Sequence, residues 1–209
     1  MNRKSVKSFV ALLLLISYAN SFMLNTLKKS PGTISTDNST VYVIFNGIYP
    51  DDRLNKTDKI YMRGDNCNLT WTSGVPLKHG TNNTWSTMLA CPTGVGIRIK
   101  LVLNDKVWML GPNYWFVVNA RSNLTILPSF FPSINKVYDT ESISSSLLKN
   151  SRKCSIYLPP SYHDNPFKKY ELIFMHDGQN LFEDSKAAFG TAWKIQDTLN
   201  DLIGRGEIN

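Results

Sequence analysis

Between residues 41 and 127 the apolar residues fall into short runs separated by polar and turn-forming residues. Val41–Phe45, Lys59–Arg63, Thr84–Leu89, Ile97–Leu103, Val107–Leu110, Tyr114–Val118 and Leu124–Leu127 each read as a strand. Thr84–Leu89 alternates as a half-buried strand does, and Asn104-Asp105 suits the turn of a hairpin between its neighbours. Short strands repeated at this spacing predict a β-sandwich, immunoglobulin-like in its architecture, over 41–128. Trp85 lies in mid-strand and is expected in its core. Trp71 and Trp108 each adjoin a turn, a position compatible with either core packing or exposure to a ligand.

Part of this region resembles the starch-binding domain family attached to amylases and glucoamylases. The resemblance is carried by Gly64-Asp-Asn-Cys-Asn-Leu-Thr-Trp71, Trp85, Arg98-Ile-Lys100 and Trp108-Met-Leu-Gly-Pro-Asn113. It implies an aromatic platform of Trp71 and Trp108 for an α-glucan, with Lys100 and Asn113 bonding the sugar hydroxyls. Met109 departs from the pattern, standing where that family usually has an acidic residue. Flat indoles suit the apolar faces of sugar rings, while polar groups at the rim fix orientation.

A different pattern follows residue 150. Leu172–Met175 is apolar without alternation, as expected of a strand covered on both faces. His176-Asp177-Gly178-Gln179-Asn180 would then lie at its carboxyl end, where open α/β sheets place ligand sites. Arg152–Leu158 predicts an earlier strand stopped by Pro159-Pro160, and His163–Pro166 a turn. Thr191 is expected to cap a helix that presents Ala192, Ile195, Leu199, Leu202 and Ile203 on one face and ends at Gly204. Residues 129–150, with Pro132 and a serine cluster, read as a linker.

Arg152–Tyr162, Tyr170–Asn180 and Gly190–Leu199 together resemble the feruloyl and enterobactin esterase branch of the α/β-hydrolases. That resemblance implies the truncated start of an α/β-hydrolase domain over 151–209, from a carboxylic-ester hydrolase. Such enzymes use a serine on a strand-to-helix turn, followed by an acid and a histidine. The 209 residues contain no Gly-x-Ser-x-Gly, so nucleophile, acid and base are expected beyond them and the chain itself is expected to be inactive. Only the backbone N–H of Gln179 matches part of the family's oxyanion hole. Apart from the resemblance, the segment reads as a polar turn. His79, His163 and His176 do not match the family's catalytic base, and the spacing of Asp177, Asn180, Glu183 and Asp184 fits no calcium loop. Neither a metal nor a cofactor is expected.

At the amino terminus Arg3, Lys4 and Lys7 precede the apolar run Phe9–Tyr18, with small residues at Ser17 and Ala19. A bilayer span needs about 20 apolar residues, so 1–19 read as a cleaved signal peptide rather than an anchor. Residues 20–40 then form a flexible leader. Removing 1–19 leaves 20 Lys and Arg against 16 Asp and Glu. That balance is too mild to argue for a nucleic-acid partner. Sequons at Asn38, Asn55, Asn68, Asn82 and Asn123 agree with a secreted glycoprotein, extracellular or in the secretory lumen. Cys67 and Cys91 either bridge or remain buried thiols; an oxidising compartment favours the bridge. Cys154 reads as a buried thiol. Two functions fit: an ester-hydrolase fragment with an appended carbohydrate-binding-like domain, or a non-catalytic α-glucan-binding glycoprotein. The complete hydrolase would take the ester substrate; the first region would take the polysaccharide.

Overall fold

The computed structural model describes residues 12–17, 39–119, 123–133 and 136–208. Most of the expected signal peptide and leader, and the sequon at Asn38, lie outside them. The chain divides into two compact units. One comprises the described residues of Ala19–Ser133 together with Ser161–Lys168, and the other the remainder.

The strands in chain order begin with β1 (Leu12–Ser17), β2 (Thr40–Ile48), β3 (Ile60–Gly64), β4 (Val75–Pro76) and β5 (Lys78–His79). They continue with β6 (Thr84–Pro92), β7 (Gly96–Leu103), β8 (Val107–Trp108), β9 (Tyr114–Val117) and β10 (Asn123–Ile126). The last five are β11 (Lys136–Asp139), β12 (Ile143–Ser145), β13 (Asn150–Arg152), β14 (Ser155–Leu158) and β15 (Tyr170–Met175), followed by helix α1 (Ile195–Arg205).

The first unit is the expected β-sandwich. One sheet runs β10-β2-β6-β5; the other runs β4-β3-β7-β8, with β9 also paired to β7. Period-two alternation explains the packing. Ile97, Ile99, Leu101 and Leu103 of β7 are buried against Val43 and Phe45 of β2 and Ile60 and Met62 of β3, while Arg98 faces solvent. Trp85 is buried there as expected. His79 stacks on its indole with ring centroids 4.3 Å apart. The short strands β4 and β5 escape sequence patterning because two residues carry no readable period.

Cys67 and Cys91 form a disulfide within this core. Asn66, Cys67 and Asn68 are all left-handed, with φ of 60°, 48° and 61°. Asn tolerates that region better than most residues, whereas the Cys67 backbone is held there by its surroundings. The paired substitution Cys67→Ser and Cys91→Ser should lower the stability of this unit by about 3 kcal/mol on the chain-entropy account. Chemical denaturation read by tryptophan fluorescence checks this; an unchanged midpoint would show that the bridge contributes nothing.

Sequence order assigns Ser161–Lys168 to the later region, but the structure builds these residues into the sandwich. Asp164 is 3% exposed, and its carboxylate accepts hydrogen bonds from the Tyr49 hydroxyl at 2.8 Å and the Phe130 backbone N–H at 2.7 Å. The fully buried Asn165 donates to the carbonyls of Ile48 and Pro128 at 2.8 and 2.7 Å. The His163–Pro166 turn is therefore a clasp joining the ends of the sandwich. Burial lowers the pKa of the neighbouring Lys168 to about 8, against a smaller upward pull from Asp164.

The stretch read as a linker carries packing and strand pairing of its own. Phe130 packs edge-on against Tyr49 with ring centroids 5.0 Å apart, and β12 and β13 pair as a hairpin within and just beyond it.

In the second unit the sheet order is β11-β14-β1-β15. Strand β1, from the apolar run expected in the signal peptide, pairs parallel to β14 and antiparallel to β15. A small core gathers Tyr157, Leu181, Phe182 and Leu199, with Ile195 and Ile203 of α1 packed against it. One local expectation is corrected here. Leu172, Ile173 and Phe174 of β15 are exposed rather than covered on both faces. Among the described residues one α-helix accompanies this sheet, too little to cover two faces.

Helix α1 begins after Lys194, not at a Thr191 cap, because Lys194 is left-handed with φ 52°. It passes through Gly204 and stops at left-handed Gly206, whose N–H bonds the Ile203 carbonyl while Glu207 N–H bonds that of Leu202. No helix among the described residues is long and apolar enough to cross a membrane.

Candidate functional site

The outward face of the β3-β7-β8 sheet carries the residues singled out for sugar recognition. The left-handed pair Asn104 and Asp105, with φ of 52° and 54°, closes the hairpin between β7 and β8. This turn suits the natural strand twist and sets Trp108 opposite Val102. Trp108 is 40% exposed and Trp71 is partly exposed; neither joins the sandwich core. Their ring centroids lie 6.2 Å apart with the planes inclined at 35°. The open choice between core packing and exposure thus resolves to a surface pair.

Arg63 on β3 organises this pair. Its guanidinium carbon lies 5.1 Å from the Trp108 ring centroid, while Nη1 donates to the Trp71 carbonyl at 3.2 Å. Nε donates to the Asp105 carboxylate at 2.7 Å and Nη2 to its carbonyl at 2.9 Å. The Arg63 side chain holds the Asp105 carboxyl below the usual carboxylate range. Gly74 allows the loop after Trp71 to approach this turn. A Cβ there would fall 2.5 Å from Asp105 Oδ1 and 2.7 Å from Tyr61 Cβ. The supporting trio of Arg63, Gly74 and Asp105 was missed in the sequence. Its local signals were the Asn104-Asp105 turn and Arg63 at an outward position in an alternating strand.

Lys100 pairs with Arg63 across β3 and β7 and lies on the same outward face. Its Nζ donates to the Gly111 carbonyl, fixing the loop that carries exposed Asn113. Partial burial lowers the Lys100 pKa. Trp71, Trp108 and Lys100 therefore lie on the same outward side of this sheet, and Asn113 follows on the loop that Lys100 braces. Met109, by contrast, points inward at 3% exposure.

Gln179 belongs to the second unit. It occupies a single 3-10 turn over Gly178–Asn180 that begins at left-handed Asp177. Its buried Oε1 has no hydrogen-bond partner among the described residues. Asn180 orders the following loop, its carbonyl accepting from Trp193 N–H at 2.7 Å and its Oδ1 from Ala188 N–H at 2.9 Å. Of the sequons, Asn55, Asn68, Asn82 and Asn123 are all exposed.

No protein-family model matches the sequence, and no curated protein matches it. Among solved structures, the chain is similar to a glycoside hydrolase family 15 glucoamylase from Hypocrea jecorina at 15% identity and a TM-score of 0.35. That match covers 47% of this chain but only 18% of the glucoamylase. Another is the family 20 carbohydrate-binding module of a maltotetraose-forming amylase from Pseudomonas saccharophila STB07, at 21% identity and a TM-score of 0.36. It covers 41% of this chain and 97% of the module.

Proposed function

We propose that the sandwich unit is a carbohydrate-binding module that takes an α-glucan on Trp71 and Trp108. The carrying observation is the inclined pair of surface indoles, braced from beneath the loops by Arg63. Exposed aromatic faces held rigid by a packed sheet lose little conformational entropy on binding, and a sugar ring supplies the apolar face to stack on them. Asn113 supplies polar contacts at the rim, and Lys100 keeps its loop in place. Calorimetric titration of the chain with a soluble α-glucan tests the reading directly; absence of heat and of co-sedimentation with insoluble glucan would reject it.

A second reading, that the later region belongs to a carboxylic-ester hydrolase, rests on the three-motif resemblance. The tight turn at Asp177–Asn180 directly after β15 favours it. In that reading the Gln179 N–H is one of two oxyanion donors. These 209 residues carry no Gly-x-Ser-x-Gly and are expected to leave a nitrophenyl ester unhydrolysed. Turnover that a serine-directed phosphonate abolishes would overturn that expectation.

A further inference from the structure

We propose that Trp115 is a second stacking subsite, which makes the binding face one for an extended oligosaccharide rather than for a single sugar ring. The inference rests on the carbohydrate reading above. Trp115 is 50% exposed, and no motif singled it out.

Sheet register puts it in line with the first platform. Strand β3 occupies one edge of β7 from Ile99 to Leu103. Strand β8 pairs with Val102 and Leu103, and β9 pairs with Gly96 to Ile99, so both must lie along the opposite edge. Trp108 faces Val102 and Trp115 faces Arg98 across the ladder. Arg98 and Val102 occupy the strand positions between the inward Ile97, Ile99, Leu101 and Leu103, and Val102, though itself fully buried, is not part of the sandwich core, so both indoles stand on the outward side. Four residues along a strand separate the two positions by about 13 Å. One sugar ring cannot bridge that distance, whereas several consecutive rings can.

The Trp115 ring is laid flat by what lies under it. A Cβ on Gly96 would meet its Nε1, Cζ2 and Cε2 at 3.4 to 3.7 Å, so the indole covers a backbone that has no side chain. The opposite ring face is left outward. Beside it, Arg98 Nε donates to Asp65 Oδ2 at 2.6 Å, a polar rim able to hydrogen-bond the hydroxyls of a stacked sugar. Between the two indoles in sequence lies the exposed Asn113, on the loop that Lys100 holds.

The test compares linear malto-oligosaccharides of two and seven rings, titrated into the intact chain. Trp115→Ala should leave the two-ring affinity nearly unchanged and weaken the seven-ring affinity by about tenfold, with Trp115→Tyr retaining most of it. Near-ultraviolet circular dichroism confirms that each variant is folded. Equal affinity of Trp115→Ala and the unaltered chain for the longer sugar would overturn the subsite, as would equal weakening for both sugars. If the unaltered chain binds neither sugar, the carbohydrate reading falls and takes the extension with it. If Trp71→Ala and Trp108→Ala abolish binding while Trp115→Ala does not alter it, the platform stands alone.

Discussion

Asp164→Ala should destabilise the sandwich unit by about 3 kcal/mol, the range expected when a buried hydrogen-bonded charge is removed. The carboxylate is almost fully buried, and both of its donors are on the sandwich: the hydroxyl of fully buried Tyr49 and the N–H of Phe130, which is 2% exposed. Truncation leaves two buried donors without an acceptor, and it is their desolvation that makes the loss large. Tyr49→Phe removes one donor while keeping the ring packed on Phe130, so it should cost only about 1 kcal/mol. The double variant should cost less than the two single losses combined, since the shared bond is lost only once. Urea denaturation followed through tryptophan fluorescence reads this unit. A loss well under 1 kcal/mol for Asp164→Ala would mean that the clasp is a passive contact.

The second large effect is on binding. Removing both indoles in Trp71→Ala/Trp108→Ala should weaken α-glucan affinity by about a hundredfold or more, taking each stacked ring as worth about 1.5 kcal/mol. The sheet should survive, because neither ring belongs to the core cluster. Arg63→Met provides a more selective comparison. It retains aliphatic bulk beneath Trp108 but loses the guanidinium contacts to Asp105 and the Trp71 carbonyl. If the double variant binds as tightly as the unaltered chain, the surface pair has no part in sugar recognition, however suitable its geometry.

The strands of the sandwich were legible because their information is local. Alternation in Ile97–Leu103 places four residues inward whatever lies opposite, and Asn104-Asp105 accepts the left-handed turn that closes the hairpin. The burial of Trp85 and the Cys67–Cys91 bridge followed from the same pattern and the same cysteines. Legibility was poorer after residue 150. The apolar composition of Leu172–Met175 marked a strand but not what would cover it, because burial depends on neighbouring layers rather than on the strand itself. Thr191 and Gly204 looked like helix signals, yet the backbone turned at Lys194 and Gly206, where bonds to the preceding loop and the final turn decide the ends.

The sequence alone determined the strand pattern of the sandwich, its hairpin and its core tryptophan, and it marked Trp71 and Trp108 as the candidate stacking pair. Tertiary structure alone decided that Trp71 and Trp108 meet at the surface over Arg63, and that Trp115 shares the outward face with Trp108. It likewise drew Asp164 to Tyr49, 115 residues away, against the apparent boundary in the chain. The physical reason is range. Periodicity and turn chemistry act within a few residues, whereas a buried carboxylate or an inclined pair of rings is specified only when distant segments are brought together.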